Sequence, residues 1–102
     1  MSKFYEIIKD ECDFAYDMYI LENNDNEKRE LLSRFAIAYT LQEKCVGRCD
    51  FDIVLEYLKL KADVKRELNE IIKCCGKDDL SAIDRANKLT ELDKIGFFLK
   101  RG

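Results

Sequence analysis

The feature that most constrains the fold is an apolar stripe at helical spacing through residues 51–75. Its members follow one another three or four positions apart: Ile53, Tyr57, Leu60, Val64, Leu68, Ile71 and Cys75. Charged residues occupy the opposite side, and proline, which would interrupt a helix, is absent from the sequence. The stripe predicts one long helix with Asp50 as its N-cap and Gly76 at its end.

Three shorter segments also predict helices. Residues 3–22 carry apolar side chains at helical spacing behind Ser2 as N-cap. The centre of residues 27–44, "FAIAYTL", alternates as a strand would, but its flanks are rich in strong helix formers and favour a helix. Residues 81–95 follow Ser81 as N-cap, with Asp84 in the place of a capping-box acid.

These segments together predict a single all-α domain over residues 1–102. Short connections between about four helices favour an antiparallel bundle, with approximate bounds 3–22, 27–44, 51–75 and 81–95. The glycines Gly47, Gly76 and Gly96 are expected near helix ends. Two alternatives stay open for the closing stretch, "GFFLKRG": a last helical turn or an extended tail.

Composition argues against several classes of function. Eighteen basic and 21 acidic residues give a formal net charge of -3, which is not the basic excess of a general nucleic-acid binder. The chain has no histidine and therefore lacks the commonest general base and neutral metal ligand. We expect no enzyme and no cofactor. Without an export signal or a membrane-spanning apolar run, the five cysteines predict a reducing cytoplasm.

The cysteine pair in "EKCVGRCD" suggests a metal site or a redox pair, and the spacing of the other thiols argues against the metal. A structural zinc needs four converging ligands, whereas the adjacent Cys74 and Cys75 lie a long helix away from Cys45 and Cys49. At about 1.5 Å per residue, the two pairs would be separated by roughly 37 Å. We therefore predict no metal site and interpret the motif as a turn, while a thiol switch at Cys45 and Cys49 stays a weaker alternative.

Three surfaces are candidates for contact with a partner protein. The first is an acidic stripe on the first helix, and the second is an additional apolar side at the start of the third helix, which would also suit a homodimer. The third is the phenylalanine pair near the end of the chain. The residues predicted for these contacts are Glu6, Asp10, Asp13 and Asp17 in the stripe, Phe51, Leu55 and Leu58 on the third helix, and Phe97 and Phe98.

The resulting hypothesis is a small cytoplasmic, non-enzymatic protein that binds another protein. Small size, acidity and the lack of catalytic groups favour an inhibitor or adaptor of the kind that phages and mobile elements carry. The alternative is a transcriptional regulator that binds DNA through its second and third helices as a helix-turn-helix. The acidic residues Asp50 and Asp52 at the start of the third helix oppose that alternative, because they would face phosphates.

Overall fold

The computed structural model describes residues 2–101, and these form four helices and no strand. The helices are α1 (Lys3–Leu21), α2 (Asp25–Cys45), α3 (Asp50–Cys75) and α4 (Leu80–Arg101). The predicted all-α bundle is confirmed. Met1 and Gly102, the ends of the predicted domain, lie outside the described residues. Within residues 2–101, no helix has an apolar stretch long enough to cross a membrane.

Side-chain contacts show that α1 and α2 run antiparallel. Near the end of α1, the Lys28 ammonium donates a hydrogen bond of 2.8 Å to the carbonyl of Tyr19. At the opposite end, the amide of Gln42 lies 3.5 Å from the hydroxyl of Tyr5. The start of α2 therefore meets the end of α1, as the short connection between them predicts.

The same relationship holds between α3 and α4. Lys61 pairs with Asp93 at 2.8 Å, and Arg85 pairs with Glu67 at 3.1 Å, so residue numbers rise along α3 as they fall along α4. The start of α1 lies beside the start of α3, where the backbone N–H of Phe4 donates to Asp50 at 3.4 Å. Consecutive helices therefore alternate in direction, and α2 and α4 run parallel.

The core is built from one stripe of each helix. Its buried side chains are Ile8, Cys12, Ile37, Ala38, Leu41, Cys45, Ile53, Tyr57, Leu60, Val64, Leu92, Ile95 and Leu99. The predicted stripe of α3 is buried only through Val64; Leu68 and Ile71 are half-buried and Cys75 is exposed. The last turns of α3 consequently extend past the core.

The prediction of Asp50 as the N-cap of α3 is wrong by one residue. Cys49 occupies the cap without a side-chain hydrogen bond, and Asp50 is the first helical residue. Its carboxylate accepts hydrogen bonds from the Ser2 hydroxyl and from the backbone N–H of Phe4, the latter at 3.4 Å. Asp50 therefore joins the beginnings of α1 and α3.

The predicted cap of α4 is also wrong. The helix begins at Leu80, and the side chain of Asp79 accepts from the backbone N–H of Ser81 at 3.0 Å. Asp84 turns toward α2 instead, where it accepts a hydrogen bond of 2.6 Å from the Ser33 hydroxyl.

The closing stretch is helical as far as Arg101, which decides the alternative left open for residues 96–101. Gly96 consequently lies inside α4 and not at a helix end. The other two glycines do mark ends: Gly47 and Gly76 have positive φ angles of 73° and 89°.

Candidate functional site

An open groove between α3 and α4 brings together two of the predicted contact surfaces. Leu58 and Phe97 line it, joined by Val54, and its volume is about 570 Å³. The two predicted residues are only partly covered, with 53 % of Leu58 and 54 % of Phe97 exposed to solvent. Residues that lie 39 positions apart in the sequence thus form one apolar surface.

The surface continues along α3 toward its N-terminus. Phe51 and Leu55 lie seven and three residues before Leu58 and therefore share its helix face. Phe51 is 72 % exposed and Leu55 is 41 % exposed. The opposite face of α3 enters the core, so the predicted second apolar side exists and, in the described part of the chain, faces solvent.

Cations lie close to Phe97. Lys100 lines the groove and has no ion-pair partner among residues 2–101. The guanidinium of Arg101 lies 5.5 Å from the centre of the Phe97 ring, within cation–π distance, but the Arg101 side chain lines a different groove, between α1 and α4. Lys61, farther along the groove, is neutralised by Asp93 at 2.8 Å.

The acidic stripe lies elsewhere, on α1. Asp10, Asp13 and Asp17 are exposed, whereas Glu6 is half-buried. Asp13 forms an ion pair of 3.2 Å with Lys9, which neutralises part of the stripe.

Asp10 lines a second groove, between α1 and α4, together with Phe98. This α1/α4 groove has a volume of about 660 Å³. The two adjacent phenylalanines therefore line different grooves, with Phe97 between α3 and α4 and Phe98 between α1 and α4.

A cluster of four charged residues, of which the two glutamates are buried, adjoins the α1/α4 groove, and sequence reasoning missed it. Glu91 on α4 is fully buried, and its carboxylate accepts a 2.8 Å hydrogen bond from the Nε of Arg34 on α2. Glu11 on α1 is 7 % exposed and lies 2.7 Å from the ammonium of Lys94. The four residues, called the charge cluster below, connect α1, α2 and α4.

The carboxyl group of Glu11 lies close enough to influence the pKa of Glu91. Burial, helped by the neighbouring Glu11, raises the pKa of Glu91 to about 7 against the opposing effect of Arg34. Oε2 of Glu91 is buried without a hydrogen-bond donor among the described residues, whereas Oε1 of Glu11 lies 2.7 Å from Nζ of Lys94.

A positional signal for Glu11 was present in the sequence. It lies three residues after Ile8 and four before Ala15, both of which are buried, so the residue belongs to the apolar stripe of α1. Glu91 similarly lies four residues before the buried Ile95. Charge alone suggested solvent exposure for both, because acids are rarely buried unless they are paired.

The thiols divide into two groups. Cys12 and Cys45 are buried, and burial raises the pKa of each to about 11. Cys49, Cys74 and Cys75 are exposed. Among residues 2–101, no three acidic or cysteine side chains converge as metal ligands would.

Comparisons with known proteins do not place the chain in a family. Its sequence matches no protein-family model, no curated protein and no solved structure at a significant level.

Proposed function

We propose that this chain is a small, non-enzymatic protein-binding domain, an inhibitor or adaptor, that docks its partner in the groove between α3 and α4. The observation that carries the proposal is the joining of Leu58 and Phe97 into one exposed apolar surface. The attribution to phages or mobile elements stays a prediction from size and composition. Five free cysteines are consistent with a reducing compartment such as the cytoplasm.

The energetic reason for docking is the apolar area left in water. Fully burying a leucine or phenylalanine side chain is worth about 1.5–3 kcal/mol relative to leaving it exposed. Phe51, Leu58 and Phe97 are each more than half exposed and lie along one surface. Aromatic anchors surrounded by smaller apolar contacts are typical of the energetic centres of protein interfaces.

The occupant that fits this groove best is an amphipathic helix with acidic residues at one end. Two antiparallel helices form a groove that accepts a third helix through its apolar side chains. Lys100, which has no ion-pair partner among residues 2–101, lines the groove beside Phe97, and Arg101 lies against the Phe97 ring, so acidic side chains of the partner would complement these two cations. A second copy of this chain complements them less well, since its own groove carries the same cations.

The acidic stripe of α1 is proposed as a separate, weaker contact. Asp10 and Asp17 remain exposed, and Asp13 is already paired with Lys9. Because the stripe is on α1 and the apolar groove is between α3 and α4, one small partner element would not cover both.

The helix-turn-helix alternative is less well supported. A recognition helix contacts bases through its N-terminal residues. In α3 those residues include Asp50, whose carboxylate is held by Ser2 and Phe4 of the α1 terminus. A gel-shift titration against salt tests this alternative directly, because phosphate contacts weaken steeply as salt rises.

Selection of helical peptides from a random library against the immobilised protein tests the proposal while the natural partner is unidentified. We expect the selected peptides to carry apolar residues at helical spacing and acids at one end. Their affinity should fall at least tenfold for Leu58→Lys and for Lys100→Glu/Arg101→Glu. Leu80→Lys is the matched control, because Leu80 is 64 % exposed at the opposite end of α4.

Two results would contradict the proposal. One is peptide binding that Leu58→Lys leaves unchanged while circular dichroism shows an intact fold. The other is a set of selected peptides whose NMR chemical-shift changes fall on residues outside α3 and α4. Sedimentation equilibrium tests the homodimer alternative, for which we expect a monomer.

A further inference from the structure

We propose that a cavity between α1, α2 and α4 binds a small primary amine, whose ammonium group donates a hydrogen bond to the free carboxyl oxygen of Glu91. The cavity has a volume of about 200 Å³, and the charge cluster supplies its polar lining. It adjoins the α1/α4 groove, because Phe14 and Lys94 line both. It shares no lining residue with the α3/α4 groove, so the inference goes beyond partner docking and does not depend on it.

The observation that points to a ligand is a buried oxygen atom without a donor. Glu91 is fully buried, and its Oε1 accepts a hydrogen bond of 2.8 Å from the Nε of Arg34. Its Oε2 is also buried, but receives no hydrogen bond from the described residues. An unpaired acceptor in a protein interior is costly, and more so when it carries charge. Because Glu91 lines the cavity, a molecule bound there can supply the missing donor.

The charges around the cavity favour a donor that is a cation. Lys94 is already engaged, since its ammonium lies 2.7 Å from Oε1 of Glu11. Arg34 is shared between two acids, because its Nη1 lies 4.0 Å from Oε1 of Glu30 while its Nε donates to Glu91. Three acids therefore face two cations, and one further positive charge would balance them. A hydrogen bond from a cation to a carboxylate is also roughly twice as strong as one between neutral groups.

The rest of the cavity wall is apolar and fixes the other half of the ligand. It consists of Phe14, Ala15, Met18 and Leu31. Phe14 is 52 % exposed and Met18 is 39 % exposed, so this wall reaches the protein surface and offers a route of entry. An ammonium group, with three donors on a compact head, joined to a short apolar body matches both halves of the cavity. An amino acid matches them less well, because its carboxylate would add a negative charge beside Glu11 and Glu91.

Titration of the protein with phenethylammonium at about pH 8, followed by ¹H–¹⁵N NMR, tests the proposal. At this pH Glu91 is ionised, since burial raises its pKa only to about 7, and an alkylammonium like that of lysine, with a pKa of about 10.4, stays protonated. We expect saturable binding, with the largest chemical-shift changes at the residues that line the cavity.

Two probes of similar shape serve as controls on the wild-type protein. Phenethyl alcohol donates only a neutral hydrogen bond, and hydrocinnamate brings a carboxylate in place of the ammonium. Both should bind at least about tenfold more weakly than the amine.

A substitution at the carboxyl group provides an independent test. Glu91→Gln keeps the shape of the side chain but removes its charge, and should weaken amine binding at least about tenfold. Asp93→Asn is the matched control, because Asp93 lies two residues away and pairs with Lys61 of α3. We expect it to keep the wild-type affinity for the amine.

The comparison of probes does not require any variant to fold. Equal affinities for the amine and the alcohol would overturn the proposal, as would the absence of saturable amine binding. Shifts confined to residues outside α1, α2 and α4, or unchanged amine affinity in a folded Glu91→Gln variant, would overturn it as well.

Discussion

The hydroxyl of Tyr57 on α3 donates a 2.8 Å hydrogen bond to the carbonyl of Leu92 on α4 and lies against the bare Cα of Gly96. A Cβ atom at Gly96 would be 2.9 Å from Cζ of Tyr57 and closer still to the hydroxyl oxygen. Because Tyr57 is itself buried, with 7 % of its surface exposed, its ring cannot simply swing away. The pair therefore sets the distance between the two helices that form the apolar groove.

We predict that Gly96→Ala destabilises the protein. Alanine favours a helix interior over glycine by about 1 kcal/mol, which would stabilise α4. Overpacking against a buried ring costs about 1–3 kcal/mol, so we expect a net loss in the free energy of unfolding. Urea denaturation of the variant and of the wild type measures this difference in the free energy of unfolding.

The double variant Tyr57→Phe/Gly96→Ala is the control. Tyr57→Phe alone should cost about 1 kcal/mol, because the carbonyl of Leu92 loses a hydrogen bond. It also removes the atom closest to the new methyl group, so the double variant should be more stable than the sum of the two single effects predicts. Strict additivity would contradict this account of Gly96.

A second prediction concerns the link between the helix N-termini. Asp50→Ala should lower the free energy of unfolding by about 1–2 kcal/mol, because Ser2 and the N–H of Phe4 lose a charged acceptor. Asp52→Ala is the matched control: it lies in the same first turn and should cost only the helix-dipole contribution of about 0.3–1 kcal/mol. If thermal or urea unfolding showed the same loss of unfolding free energy in Asp50→Ala and Asp52→Ala, the Asp50 contacts would contribute nothing beyond the interaction with the helix dipole.

The positions of the helices were predictable from the sequence because apolar periodicity reports local structure. The stripe through Ile53, Tyr57 and Leu60 predicted α3, and its buried part forms the core as expected. Asp50 and Asp84 were misassigned because their partners, Ser2 and Ser33, are about 50 positions away in the sequence. A local capping rule cannot include such partners.

The grooves and the charge cluster depend on how the helices pack, which periodicity does not determine. The exposed apolar side of α3 was predictable, but its meeting with Phe97 required the antiparallel packing of α3 and α4. Glu11 and Glu91 lie at helical spacing from buried apolar residues, but nothing in the sequence brings the two together. Their proximity depends on the placement of α1 beside α4, with Arg34 supplied from α2.

A third prediction concerns thiol reactivity. At about pH 8 the exposed Cys49, Cys74 and Cys75 should react with a thiol reagent in the native protein. Cys12 and Cys45 should react only on unfolding, because they are buried and their pKa values are raised to about 11.

Mass spectrometry of the partly labelled protein assigns the modified residues. Equally fast labelling of Cys45 and Cys49 would contradict the burial of Cys45 and would revive the thiol-switch hypothesis.

The final prediction concerns how the destabilisation caused by replacing Arg34 depends on pH. Burial raises the pKa of Glu91 above that of an unfolded glutamate, so the folded protein holds a proton that the unfolded chain has released. Its free energy of unfolding should therefore fall as pH rises from about 4.5 to about 7. Arg34→Met removes the cation that favours ionised Glu91 and raises the pKa of that carboxyl group further.

The cost of Arg34→Met should consequently grow with pH. At about pH 5.5, where Glu91 is already protonated, the variant loses mainly one hydrogen bond, or about 1–3 kcal/mol. At about pH 8 it must bury an uncompensated charge or retain a proton, and the cost should approach about 3–5 kcal/mol. Arg66→Met is the control, because Arg66 pairs with Asp63 on the exposed side of α3 and its loss should cost under about 1 kcal/mol at both pH values. Urea unfolding at about pH 5.5 and about pH 8 measures these costs. If Arg34→Met lowered the free energy of unfolding equally at both pH values, Glu91 would not change its protonation between them.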